Sequence, residues 1–415
     1  MISFPLFVVA AVFLVTAVRK IGPWTLPIWA IMGAGAALVV LHGDISPSSA
    51  WGAVNWEVLL FLFGMFILGQ ALEESGLLAS ILNPLLPGRG GPFLFFLFLT
   101  VGFGLLSALL MNDTVAVIAT PWVLGLGRRC RVPSKPLLLT LAFGVTIGSV
   151  MSPLGNPQNL LIALKGGWAN PFFPFLRYLL LPTVINLLLA AWFLTLLYGK
   201  SFPEAMPSAS LESRQQPGPL LTACKLSLGL LLLLLAYQLV SLFLGKASPF
   251  PLSMVSLAAA SPLLVAAPRR IERLKKIDWS TLFFFFAMFI LMDAVWRTGF
   301  FQGWLQRSGW NLTALPVVLG LSVGVSQFIS NVPFVALYTP LLMKAGASTE
   351  TLMALAAGST VAGNFLILGA ASNVIIVQNA EKRGETLTFW EFARVGVLLT
   401  LINTAVYWFL LVKRG

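Results

Sequence analysis

The chain has 415 residues, of which 58% are hydrophobic and only 10% charged, with a formal net charge of +12 and a mean hydropathy of +0.92. A soluble domain carries about 25% charged residues, so water is excluded as the solvent for most of this chain. The basic excess sits in short loops between apolar runs, which excludes a nucleic-acid surface and reads as the topology signal of a polytopic α-helical membrane protein.

Taken in order, apolar runs near 20 residues predict ten crossings and two hairpins. Segment 1 covers 2–18 and ends at Arg19-Lys20; with no basic leading region and no clear cleavage site it reads as a retained helix rather than a signal peptide. Segments 2 and 3 cover 23–42 and 55–75. A re-entrant hairpin is expected over 92–127, then a broken helix over 136–165, interrupted by Ser152-Pro-Leu-Gly155-Asn156-Pro-Gln-Asn159. Segment 5 covers 172–199, and 200–219, rich in Pro, Ser and Gln, reads as a cytoplasmic linker. Segments 6, 7 and 8 cover 221–245, 250–268 and 278–298. A second hairpin is expected over 312–343, a second broken helix over 350–379 with its interruption around Gly369-Ala-Ala-Ser372-Asn373, and segment 10 over 389–412.

Residues 1–199 and 220–415 read as two repeats. Residues 56–76 slide by 223 positions onto 279–299, where Trp56, Phe61, Phe63, Met65 and Phe66 meet identical residues. At an offset of 219, Asn112, Thr120 and Pro121 meet Asn331, Thr339 and Pro340. At 214, Gly144, Gly155 and Asn159 meet Gly358, Gly369 and Asn373. Matches that stay in order while the offset drifts slightly mark a duplication. Five crossings per half are an odd number, so the second half is expected to enter the membrane inverted, the plan of secondary transporters. With both termini outside, most of the 26 Lys and Arg residues fall on the inner side. The expected fold is therefore all-α: an inverted repeat of five crossings plus one re-entrant hairpin per half.

Unpaired backbone is costly in hydrocarbon, so chain breaks at membrane depth are expected only where protein or a water-filled cavity surrounds them. Four breaks fall at matched places, and they offer Asn112, Asp113, Thr114, Ser152, Gly155, Asn156, Asn159, Ser330, Asn331, Gly369, Ser372 and Asn373 as candidate substrate-binding and ion-coupling residues. Each Asn, Ser or Thr among them also fits a plain helix-capping role. Asp113 is the only acid among them, its repeat counterpart being Val332. An intramembrane carboxylate is a proton- or cation-coupling candidate; the competing role is N-cap of the following helix. Asp293 is a secondary coupling candidate, with Arg297 one turn on as a natural partner. Glu57, Glu73, Glu74 and Asp278 lie near membrane edges and read as solvated. The run Arg269-Arg270-Ile-Glu-Arg273-Leu-Lys275-Lys276 reads as a topology anchor, with anionic lipid or a cytosolic partner as the other use. Cys130 and Cys224 make neither a disulfide framework nor a metal site, and the single His42 is assigned nothing. With no nucleophile–base pair and no metal-ligand cluster in the sequence, an enzyme is not expected, nor any cofactor beyond a coupling proton or sodium ion.

The segments Asn112-Asp113-Thr114…Thr120-Pro121 and Gly155-Asn156-Pro157-Gln158-Asn159 resemble the ion transporter superfamily, and within it the arsenite permease branch. Sodium/proton antiporters of the NhaD kind and divalent-anion/sodium symporters are related branches. The resemblance implies a scaffold domain and a mobile domain that moves as an elevator, with substrate and ions at hairpin tips and broken helices. It also implies arsenite and antimonite as solutes and allows a cytosolic ATPase as partner on the basic loops. The symporters carry Ser-Asn-Thr at both tips, whereas here Asn112-Asp113-Thr114 and Ser330-Asn331-Val332 stand there. An ionised Asp113 opposes a divalent anion, and no Lys or Arg lies at the four breaks. The expectation is proton-coupled efflux of arsenite or antimonite across a prokaryotic inner membrane, with a sodium/proton antiporter or an anion/sodium symporter as alternatives.

Overall fold

The computed structural model describes residues 3–18, 20–21, 24–82, 91–202, 218–244, 246, 250–300, 303, 309, 311–329, 331–381 and 383–413. Helices dominate. The first half holds α1 (Phe4–Val18), α2 (Ile28–His42), α3 (Pro47–Ala53), α4 (Trp56–Ser75), α5 (Leu77–Leu82), α6 (Pro92–Leu110), α7 (Asn112–Cys130), α8 (Ser134–Ser149), α9 (Pro157–Lys165) and α10 (Phe172–Tyr198). The second holds α11 (Pro219–Phe243), α12 (Leu252–Val265), α13 (Arg270–Lys276), α14 (Trp279–Arg297), α15 (Leu315–Ile329), α16 (Asn331–Lys344), α17 (Thr349–Val361), α18 (Ala371–Glu381) and α19 (Phe389–Val412). One feature departs from an all-α reading: β1 (Lys20–Ile21) and β2 (Trp24–Thr25) pair antiparallel as a two-residue ribbon.

Helix starts follow local chemistry. Asn55 accepts the Val58 N–H to cap α4, and Asp278 accepts the Thr281 N–H to cap α14. These two caps are related by the same offset of 223 that aligns Trp56 with Trp279. Asn156 caps α9, with Pro157 at the first helical position. Thr388 and Glu391 form a reciprocal capping box on α19.

Packing repeats in pairs. Helix α4 lies on α12, and α14 on α2. Helix α6 lies on α8, and α15 on α17. Helix α7 packs on α18, and α16 on α9. Helices α10 and α19 pack on each other. A very tight crossing is α6 on α8, where a Cβ added at Gly148 would lie 2.1 Å from the Gly104 Cα. Only glycine lets two backbones meet this closely, the device by which helices associate in lipid without a hydrophobic drive.

By length and composition, α4, α6, α10, α14 and α19 are apolar enough to cross a bilayer, as is Pro219–Ser241 within α11. Four described stretches are apolar but shorter, among them the whole of α8 and α12. Helix α6, expected as a hairpin arm, is thus long enough for a full span. The second break also differs from expectation. It covers 362–370, as two short 3-10 turns, so that Ser372 and Asn373 stand in the first turn of α18. The apolar flanks of this segment conceal the true edge, and Gly363 rather than Gly369 opens it. Most of the expected linker lies outside the described residues.

Glu74 is not simply solvated. It pairs with Arg273 Nε at 2.9 Å and Lys276 Nζ at 3.4 Å, tying the end of α4 to α13. Arg273 is buried, so it is held by α4 rather than acting only as a topology signal. Glu74→Ala leaves that guanidinium short of its acid and is expected to destabilise by about 1–2 kcal/mol, less than for a fully buried pair. Thermal unfolding in detergent measures this, with Lys276→Ala as the exposed control.

Candidate functional site

Helix α6 ends and α7 begins at Met111, whose φ of 73° and ψ of 140° place a buried non-glycine residue in left-handed space. Such backbone costs on the order of 1–3 kcal/mol and persists only where the surroundings over-determine it. Here they do. The Asn112 N–H donates to the Gly155 carbonyl at 2.8 Å, so the start of α7 is pinned to the first break. The Asn112 Nδ2 reaches Ser372 Oγ at 3.5 Å, so it also meets the start of α18. Asn112, Asp113 and Thr114 are all buried.

Asp113 does not cap its own helix. Its backbone N–H donates to Asn112 Oδ1 at 2.9 Å, and no side-chain cap is made on α7. Its carboxylate instead lies beside Ser372, in the first turn of α18, the residue that Asn112 also reaches. A carboxylate from one half therefore faces a helix N-terminus of the other, where free N–H groups and the helix dipole favour negative charge. Thr114 Oγ1 has no partner, and its methyl faces α4, where a Cβ on Gly69 would lie 2.7 Å from it.

The first break proves to be a braced structure. Asn159 Nδ2 donates to the carbonyls of Ser149 (3.0 Å), Val150 (3.3 Å) and Ser152 (3.0 Å). Its Oδ1 accepts from Thr360 Oγ1 at 3.3 Å. Asn156 donates to Ser149 Oγ at 3.0 Å and Thr360 Oγ1 at 3.2 Å, while its Oδ1 caps α9. Ser152 Oγ accepts the Leu154 N–H in a local turn. Gly155 has no room for a side chain, since a Cβ there would lie 2.0 Å from the Ser149 carbonyl oxygen. These side chains hold the break open and spend their hydrogen bonds on doing so.

The second break is different. Asn373 Nδ2 donates to the Gly363 carbonyl at 2.6 Å, but its Oδ1 is unpartnered. Asn331 Oδ1, Gln327 Oε1 and Thr146 Oγ1 are buried and unpartnered as well. All stand around the Gly363–Gly369 turn. A Cβ at Gly363 would lie 3.5 Å from both Asn331 Nδ2 and Thr146 Cγ2, and one at Gly369 would lie 3.0 Å from Gln327 Oε1. Asn364 has neither side-chain nitrogen nor oxygen partnered at 0% exposure. Unpartnered buried polar atoms are rare and point to a ligand, ion or water. Ser330 lies outside the described residues.

Asp293 stands apart. It pairs with Arg297 at 2.6 Å and lines a cavity of about 510 Å³ between the starts of α4 and the ends of α9, α14 and α16, with Lys165, Asn55 and Thr339 on its walls. It belongs to this cavity, not to the Asp113 centre.

Sequence reasoning missed Thr146, Ser149, Gln327, Thr360 and Asn364, which lie inside runs that read as uninterrupted apolar helix. It also missed Thr183, Asn186 and Asn403. The signal for these was present: Thr183-Val-Ile-Asn186 and Thr400-Leu-Ile-Asn403 match at an offset of 217.

Polar breaks packed against each other inside an apolar helical bundle define a multi-pass membrane transporter. The chain belongs to the citrate transporter (CitMHS) family, whose sequence profile matches residues 10–351, within the ion transporter superfamily that its motifs resemble. It is 30% identical over 400 residues to the uncharacterized transporter Mb2703 of Mycobacterium bovis, covering 91% of each chain. It is 29% identical over 463 residues to the silicon efflux transporter LSI3 of Oryza sativa subsp. japonica, covering 92% of each. Its fold is similar to the crystal structure of the YdaH transporter of Alcanivorax borkumensis, with a TM-score of 0.59 at 17% identity over 98% of this chain and 96% of that one.

Proposed function

We propose that this transporter exports a small neutral hydroxo acid, arsenite or antimonite, across a prokaryotic inner membrane in exchange for protons carried by Asp113. The observation that carries this reading is the composition of the centre. One buried carboxylate stands among neutral amides and hydroxyls, and no Lys or Arg is present at the breaks. Amides and hydroxyls donate and accept, which suits a solute whose every oxygen bears or can share a proton. A multiply charged anion such as citrate would meet an uncompensated carboxylate there. Efflux of silicon by a relative fits the same chemistry, because silicon in water is also a neutral polyhydroxy acid.

We further infer an inverted repeat, 1–199 and 220–415, with termini outside and hairpin tips near 111 and 330. The paired packings support it: α7 on α18 answers α16 on α9, and α4 on α12 answers α14 on α2. In an elevator mechanism the breaks move together, and the cavity beside Asp293 lies on the surface across which they slide.

The test is arsenite uptake into everted membrane vesicles, with and without an imposed pH gradient. Gradient-driven uptake is the expected result. No uptake by vesicles that contain folded protein overturns the substrate assignment. Asn331→Ala is expected to keep stability within about 1 kcal/mol, because its oxygen is already unpartnered, and Asn373→Ala to cost about 1–3 kcal/mol through the Gly363 carbonyl it strands; each is expected to raise the arsenite concentration for half-maximal uptake about tenfold, as loss of one hydrogen bond of about 1.4 kcal/mol would do.

A second reading rests on the oxygens of Thr146, Gln327, Asn331 and Asn373. Four unpartnered acceptors around one glycine turn suit a bare cation, as in sodium/proton exchange. Sodium-dependent proton flux in the absence of arsenite would favour it.

A further inference from the structure

We infer that the seam between α10 and α19 holds a file of bound water that carries the coupling proton between the outer face and the second break; its transport role rests on the proton-coupled reading above. The inner end is Asn364. A Cβ at Gly396 of α19 would lie 2.1 Å from the Asn364 carbonyl oxygen, so the two segments touch there. From Gly396, one face of α19 presents Thr400, Asn403 and Tyr407, at steps of four, three and four residues. That face spans ~16 Å of helix at 1.5 Å per residue.

Helix α10 answers it in antiparallel register. Asn186 Nδ2 donates to the Asn403 carbonyl at 3.3 Å, and Thr183 Oγ1 and Tyr407 OH share a hydrogen bond of 2.7 Å. All four side chains have 0% exposure. Yet Asn403 has both Nδ2 and Oδ1 unpartnered, as does Asn364, and Asn186 Oδ1 is unpartnered too. Groups that must both donate and accept are satisfied by water, and neither a cation nor an anion alone serves them. Beyond Thr183, α10 passes through a π turn over Phe175–Leu179, a distortion that frequently marks functional segments. There the Tyr178 OH donates to Glu350 at 2.7 Å, and Glu350 is half-buried. Glu350 is the acid at the outer end. A proton taken up there passes from one water to the next, each accepting one proton and releasing another, so nothing is consumed.

The seam is a feature of both halves, since Thr183/Asn186 and Thr400/Asn403 occupy matched positions. Plain packing between two helices needs no such pairs; leucine at all four positions would seal the interface.

The experiment is radiolytic hydroxyl labelling of the purified protein in nanodiscs, read at Tyr407 by mass spectrometry. Radicals form from water in place, so a residue with no exposure is labelled only if water is bound beside it. Labelling of Tyr407 in the wild type and its loss in Asn403→Leu is the expected result; Asn403→Ser, which keeps a polar group, is expected to retain the label. An unlabelled Tyr407 in the wild type overturns the seam, whatever the protein carries. The same variants are then assayed in vesicles for pH-driven arsenite accumulation and for arsenite counterflow at equal pH. Asn403→Leu is expected to lose accumulation and keep counterflow. Unchanged accumulation, or equal loss of both, overturns the proton route. A labelled wild type that shows no gradient-driven uptake would leave the water file standing and remove the coupling reading instead.

Discussion

Asp113→Asn is expected to fold normally and to lose gradient-driven transport entirely. The amide is nearly isosteric, and it fills the same buried place beside the first turn of α18. What it lacks is a proton to exchange. At one proton per solute, each pH unit supplies about 1.4 kcal/mol, so a gradient of about two units drives up to about a hundredfold accumulation. The sign is set by antiport: in everted vesicles with an acidic lumen, protons leave as arsenite enters, and reversing the gradient reverses the flux. The variant is expected to fall to the undriven level in both directions. Asp113→Ala is a harsher change, since it truncates a buried side chain and leaves a void at the packed start of α7. Comparing the two separates coupling from stability. Accumulation that is unchanged in Asp113→Asn would remove this residue from the mechanism.

The sequence made the membrane, the helix order and the first break legible because each leaves a local mark. Apolar runs are interrupted by Asn-Pro and by clustered Gly, and Asn156 and Pro157 cap and start α9 as their residue types dictate. Asp113 was legible because a carboxylate in an apolar run has few other uses. The second break was placed a few residues late because Gly363-Asn364 looks ordinary beside Gly369-Ala-Ala-Ser372-Asn373, and only the fold shows that the backbone already turns at the former as well as at Gly369. Asp293 was legible as one end of an i,i+4 pair with Arg297 but not as a cavity-wall residue, since its position depends on α9 and α16, remote in sequence. What one sequence could not reveal at all was the division of labour between the breaks. Asn159 and Asn373 are the same side chain at matched positions. Whether their hydrogen bonds are spent on the backbone or left over is a property of the packed structure.

That division leads to the second large effect. Asn159→Leu is expected to be the most destabilising conservative-volume change at the centre, by about 3 kcal/mol or more. One side chain there serves three carbonyls, those of Ser149, Val150 and Ser152, and accepts from Thr360. Leucine fills the space but leaves these groups buried without Asn159, and each stranded group costs about 1–3 kcal/mol. Ser152→Ala removes one local turn bond and is expected to cost about 1 kcal/mol or less. The repeat counterpart Asn373→Leu should behave in the opposite sense. It forfeits one bond, to the Gly363 carbonyl, and removes an oxygen with no protein partner, so its loss falls mainly on transport. Thermal unfolding and initial uptake rate, measured on the same preparations, distinguish the two. If Asn159→Leu and Asn373→Leu lose stability equally and transport equally, the two breaks share one role, and the assignment of the second as the binding side fails.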